Sequence, residues 1–182
     1  QVKKVKPYYL YIAADGPKND NDKLICDKTR SIFNNLDWDC KVYKLYRDKN
    51  LGCKDSVKGA IDWFFENVEE GIILEDDCLP DITAFEFLEV LLERYRNVNK
   101  VNHINASNYQ KGIKQGDSSY YYSAIPNING WATWRKSWAQ YEKLNNYFNI
   151  FKKSKKIETI FKEWLAQKYW LEAFEYSFSG ND

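Results

Sequence analysis

The chain reads as an α/β domain: a mostly parallel sheet with helices on its faces. Three observations predict this. Short apolar runs alternate with amphipathic stretches of helical period from Tyr8 to Ile104, the signature of successive βαβ units. One run, Ile72-Ile73-Leu74, is continuous and short, as in a strand buried on both faces of a parallel sheet. That run then meets three acids, Glu75-Asp76-Asp77, which a core does not accommodate, so the strand ends where they begin. Its end faces the crevice where open α/β sheets bind ligands.

Taken in order, Tyr8 to Ala14 predicts a strand that breaks at the turn Asp15-Gly16-Pro17. Asn19 to Asp22 predicts a solvated loop, and Lys23 to Asn35 a helix with Leu24, Ile25, Ile32 and Phe33 on one side. Asp39 to Arg47 alternates apolar and polar residues, a second strand, and leads into the loop Asp48-Lys49-Asn50-Leu51-Gly52. From about Lys54 to Asn67 the stripe Val57, Ala60, Ile61, Phe64, Phe65 predicts a helix. After the acidic-ended strand come Pro80, a helix from about Ala84 to Tyr95, and a short strand from Val101 to Ile104. Ser107 to Asn129 is polar and rich in tyrosine, a loop region facing a substrate. Trp131 to Tyr141 and Tyr147 to about Tyr176 read as helical. No repeat or linker divides the 182 residues, so they predict one domain, with a nucleotide-binding part over 1–105 and an acceptor-side part over 106–182.

Composition narrows the function classes. A net charge of +1 gives no bulk attraction to nucleic acid or acidic membrane. No apolar stretch approaches the roughly 20 residues of a membrane span, and Gln1 to Pro7 lacks a signal-peptide core. Cys26, Cys40, Cys53 and Cys78 are widely spaced, which predicts reduced thiols and a cytoplasmic setting. His103 is the only histidine, which argues against zinc. The chain contains no methionine, the mark of a piece excised from a longer protein. Aromatic residues, 17% of the chain, concentrate in the second half and suit sugar stacking or a partner surface.

Three acidic clusters compete for a metal. Asp37-Trp38-Asp39 precedes its strand and so lies at the opposite edge from the crevice, where it reads as a turn. Asp20 and Asp22 sit in an Asn-rich loop as solvated charges. Glu75, Asp76 and Asp77 alone stand at the carboxyl end of an apolar strand, and clustered oxygens are what Mg²⁺ or Mn²⁺ takes. Their alternative role is to cap the following helix. Asp15 is either a turn residue or a contact to a nucleobase or ribose, and Gly52, after Asn50, would let backbone approach a phosphate.

The pieces from Leu10 to Pro17, Asn50-Leu51-Gly52-Cys53 and Ile72 to Asp77 together resemble GT-A fold glycosyltransferases. Within these they resemble a bacterial group related to Golgi N-acetylglucosaminyltransferase I. The resemblance implies a Rossmann-like GT-A sheet and sugar transfer from a nucleotide-diphosphate sugar, UDP-linked, to a saccharide or glycoconjugate hydroxyl with inversion. It implies Asp77 as the Mn²⁺ or Mg²⁺ ligand, Asp76 on ribose or donor sugar, Glu75 in support, and Asp15 with Gly16 at the uracil. Gly130-Trp131 matches the family's Gly-Trp loop beside the acceptor. A first strand and a Trp-Asp motif carrying the catalytic base have no counterpart, so the chain reads as truncated at both ends, without the base and with any membrane association left to absent regions. Asp182, at the terminus, is not nominated as that base. The alternatives are a nucleotidyltransferase that makes the sugar-nucleotide, whose Gly-rich basic signature is missing, and a non-catalytic nucleotide-binding fragment.

Overall fold

β1 (Tyr9–Ala14) and β2 (Lys41–Tyr46) run parallel and in register, Tyr9 opposite Lys41 and Ala14 opposite Tyr46. The computed structural model describes residues 1–110, 112–114, 116–141 and 144–179. β1 follows a single turn, α1 (Val2–Val5), and α2 (Asp20–Ser31) crosses from β1 to β2. α2 starts earlier than the periodicity predicts, because Asn19 accepts the Asp22 amide while the Asp22 carboxylate accepts the amide of Lys18. This reciprocal capping draws Asp20 and Asp22 into the first turn, where their charge suits the helix dipole. Asp37, in the other rival cluster, pairs with Lys3 at 2.7 Å.

The second sheet is antiparallel. β3 (Glu70–Ile73) and β4 (Ile104–Asn105) both pair antiparallel with β5 (Trp131–Trp134), which lies between them. The domain is therefore mixed α/β, and among the described residues parallel pairing is confined to β1 and β2. The mostly parallel sheet expected from the sequence is not what forms: the described strands make one parallel pair and a separate antiparallel sheet of three.

β5 is also a correction to the expected helix over 131–141. Trp131, Trp134 and Trp138 recur at spacings of three and four, which mimics a helical stripe. In the structure Trp131 and Trp134 belong to opposite faces of a strand whose four residues are all buried, and the helix begins only at α5 (Arg135–Trp138). On one face Ala132 and Trp134 pack with Ile104 beneath α4 (Ile82–Tyr95), through Leu88, Leu91, Leu92 and Tyr95. On the other, Trp131 meets Ile61 and Phe65 of α3 (Gly52–Asn67). Burying each leucine, isoleucine and phenylalanine of these layers stabilises the fold by about 1.5–3 kcal/mol. α3 also reaches β1, where Tyr11 lies edge-on to Trp63 and Phe64. Trp138 ties α5 to α3 by donating to Asp62 at 2.7 Å.

The expected long C-terminal helix is broken into α6 (Leu144–Lys153), α7 (Ile157–Ile160) and α8 (Trp164–Phe178). Lys155 adopts a left-handed φ of 55° between α6 and α7, and Phe161 is extended after α7. α6 and α8 form a hairpin, with Phe148 stacked on Phe178 and Phe151 edge-on to Phe174.

Candidate functional site

Glu75 to Cys78 form a tight turn directly after β3, closed by the Cys78 amide donating to the Glu75 carbonyl at 3.1 Å. Asp76 and Asp77 are exposed and Glu75 half-buried. The helix-capping role open to these acids is taken by another residue. Asp81 caps α4, accepting the Thr83 amide at 2.9 Å and the Thr83 hydroxyl at 2.8 Å. Those two bonds hold its carboxyl below the usual carboxylate range. Among the described residues no cation pairs with Glu75, Asp76 or Asp77; the thiol of Cys78 approaches Asp77 at 3.7 Å.

Asp77 lines a cleft of about 1620 Å³ whose walls are the acidic turn, α4, β4 and the long arm from 106 to 129. Gly130 lines it too, behind Leu74. The arm is stitched to the sheet by uncharged polar groups. His103 Nε2 donates to the Asn127 carbonyl at 2.7 Å, and Asn105 Nδ2 donates to the same oxygen at 2.7 Å. Ser107 donates to the Asn129 carbonyl at 2.6 Å, and the Asn129 side chain donates to the Tyr109 hydroxyl. Burial pushes the His103 imidazole below its usual range, which keeps it neutral, and its ring stacks on Trp131 at 4.8 Å. The arm's far end hangs on α4, where the Tyr95 hydroxyl meets those of Tyr120 at 2.7 Å and Tyr122 at 2.6 Å.

The other predicted residues gather in a second cluster. The Asp15 carboxylate accepts the amides of Gly16, Leu51 and Gly52 and the Asn50 side chain, with the Ser56 hydroxyl also donating. Leu51 and Gly52 open α3, and no side chain of that segment caps it; Asp15 satisfies those amides from across the sheet. Burial works against its ionisation, but the amides of Leu51, Gly16 and Gly52 outweigh it and hold the carboxyl below its usual range. Its lone pairs are occupied, so an incoming imide would have to displace one donor. Arg30 of α2 closes the cluster by donating to the carbonyls of Asp15 at 2.9 Å and Arg47 at 2.7 Å.

The structure thus brings Asp15, Gly16, Asn50 and Gly52 together after β1 and β2. It places Glu75, Asp76, Asp77 and Gly130 around the end of β3. Trp131 joins neither group, since its side chain is in the core. The first cluster does not line the cleft. Arg30, His103, Asn105, Ser107 and Asn127 escaped the sequence reading. A signal for three of them existed, because His103, Asn105 and Ser107 alternate on one side of an extended strand.

Removing the Asp15 carboxylate has a defined pH signature. Its folded pKa lies below the unfolded value, so its stabilisation is present above about pH 4 and fades as pH falls through the folded pKa. Asp15→Ala is expected to cost about 1–2 kcal/mol at neutral pH, a cap's worth reduced by solvent screening. Urea denaturation of both proteins from neutral pH downward checks this: the difference should shrink in acid, and a constant difference would show that the charge is immaterial.

A mixed α/β domain with an acid-edged cleft is the class that fold and site define. Comparisons with protein-family models, with curated proteins and with solved structures find no match for the chain.

Proposed function

We propose that this chain is a metal-assisted glycosyltransferase domain, moving a sugar from a nucleotide-diphosphate donor, UDP-linked, to a hydroxyl of a saccharide or glycoconjugate. The observation that carries the reading is the Asp77 carboxylate, exposed at the wall of a large cleft, with no part in capping α4 and no ion pair among the described residues. The likeness of the Asp15, Asn50 and Asp77 segments to GT-A enzymes supplies the reaction class.

Among the described residues no three His, Cys, Asp or Glu side chains converge into a ready cage. Mg²⁺ and Mn²⁺ need none, since they bind through one or two carboxylates, waters and the substrate's own phosphates. Asp77 fits that mode as the protein ligand. Once bound, the cation would neutralise charge developing on the diphosphate leaving group. Asp76, exposed on the same turn, would meet ribose or donor sugar, with Glu75 half-buried behind it. Asp15 and Asn50 order the loop from Lys49 to Gly52, whose backbone would approach the nucleotide. The arm would hold the acceptor in the cleft and exclude water. Asp182 lies outside the described residues and is given no role.

The test is thermal denaturation with Mn²⁺ and UDP. At about a hundredfold excess over Kd, binding stabilises by about 2.7 kcal/mol. For a chain of this length that is roughly 5–10 °C in Tm. Asp77→Asn should abolish the shift and leave the ligand-free Tm unchanged, because the side chain is exposed and, among the described residues, its hydrogen bonding is limited to the weak Cys78 thiol. An undiminished shift in that variant overturns the metal assignment. Turnover is read separately: UDP-sugar hydrolysis supports a transferase, whereas binding without hydrolysis leaves a nucleotide-binding domain.

A further inference from the structure

The hairpin of α6 and α8 has a shaft and a tip that differ in chemistry. Along the shaft the charges are matched, Lys152 with Glu175 and Lys168 with Glu172. The tip, residues 153–165, is held in shape by Ile157, which is buried, and by Phe161 stacked on Trp170 at 5.9 Å. Gln167 secures it by donating to the Phe161 carbonyl at 2.9 Å. Its outer side chains are Lys153, Lys155, Lys156 and Lys162, opposed only by Glu158 and Glu163. None of the four lysines has an ion-pair partner among the described residues. Among them stand Trp164, 67% exposed, and Leu165, 62% exposed, with Ile160 beside them at 42%.

We propose that this tip docks on the surface of an anionic lipid membrane. Unpaired lysines around an exposed tryptophan and leucine suit the headgroup boundary, where the apolar side chains enter the acyl edge and the ammonium groups meet lipid phosphates. A protein partner fits less well, because lysine is depleted from the cores of protein interfaces, and here it is interleaved with the apolar residues. The tip's excess of two positive charges exceeds the +1 of the entire chain, so its charge is a local excess and not a share of a basic whole. No helix among the described residues is long and apolar enough to cross a membrane, so the contact lies on the surface.

Cosedimentation of the full chain with two kinds of vesicle tests this, one of phosphatidylcholine alone and one containing phosphatidylglycerol. Binding to the anionic vesicles only is expected. Lys155→Glu with Lys156→Glu should weaken it by about tenfold or more, since each lysine near such a surface contributes roughly a fivefold change in partition. Trp164→Ser with Leu165→Ser should weaken it comparably. All four positions are exposed, and unchanged melting curves of both variants show that the fold is intact. Equal binding to both vesicle types, or none to either, overturns the proposal. So does concentration-dependent self-association of the wild type that Trp164→Ser with Leu165→Ser removes, which would make the tip an interface between copies.

Discussion

Gly16→Ala is expected to destabilise the fold by about 3 kcal/mol, the upper range for forcing atoms into a packed site. A Cβ built at Gly16 would lie 2.2 Å from the Lys49 carbonyl carbon, 2.4 Å from its oxygen and 2.5 Å from its nitrogen. All three are backbone atoms, so no rotamer change relieves the clash. The loop from Lys49 to Gly52 must move as a unit, and the Asn50 bond to the Gly16 carbonyl and the amides on Asp15 move with it. For a chain of this length the loss is a fall of roughly 6–12 °C in Tm. The variant should also bind UDP more weakly if this loop meets the nucleotide. A Tm within about 2 °C of wild type, less than 1 kcal/mol, would show that the close approach is not a constraint.

Much of the β1–β2 half was legible because its determinants are local. Alternation in Lys41 to Tyr46, the break at Asp15-Gly16-Pro17 and the stripe from Val57 to Phe65 each lie within a few residues of the element they define. The acidic turn was legible for the same reason: apolar residues ending abruptly in carboxylates mark a strand end without reference to the rest of the chain. Its freedom from capping was not, because four acids precede α4 in sequence, and the bonds to Thr83 are what identify Asp81 as the cap. β5 was illegible because its strand character is tertiary. Four residues with tryptophan at positions one and four satisfy a helical stripe, and only strands on both sides and helices on both faces make them a central strand. Asp15 shows a further limit. Its capping of α3 joins positions 36 and 37 residues apart, a distance no local signal spans.

Leu88→Ala is expected to cost about 3–4 kcal/mol while leaving the Mn²⁺ and UDP response intact. Leu88 is 1% exposed, the most buried side chain of α4, in the cluster with Leu91, Leu92, Ile104, Ala132 and Trp134. Truncation removes the transfer energy of the lost atoms and leaves a cavity between helix and sheet, a combination that costs 2–5 kcal/mol in rigid cores. Two features hold this site rigid. β5 is clamped by both neighbouring strands, and α4 is pinned at its start by Asp81 and near its end by Tyr95, whose hydroxyl bonds two tyrosines of the arm. The cavity therefore has little scope to collapse. Asp77 lies on the turn before α4, outside the truncated layer, so the ligand-induced rise in Tm should survive on a lowered baseline. Denaturant unfolding gives the first quantity and thermal scans with ligand the second. If Leu88→Ala erased the ligand response, the cleft wall and the acidic turn would be one mechanical unit, and the proposed site would depend on α4 packing as much as on the carboxylate. If the response persists in Leu88→Ala but is absent in Asp77→Asn, an exposed acid and not core integrity is what recognises the metal-bound diphosphate.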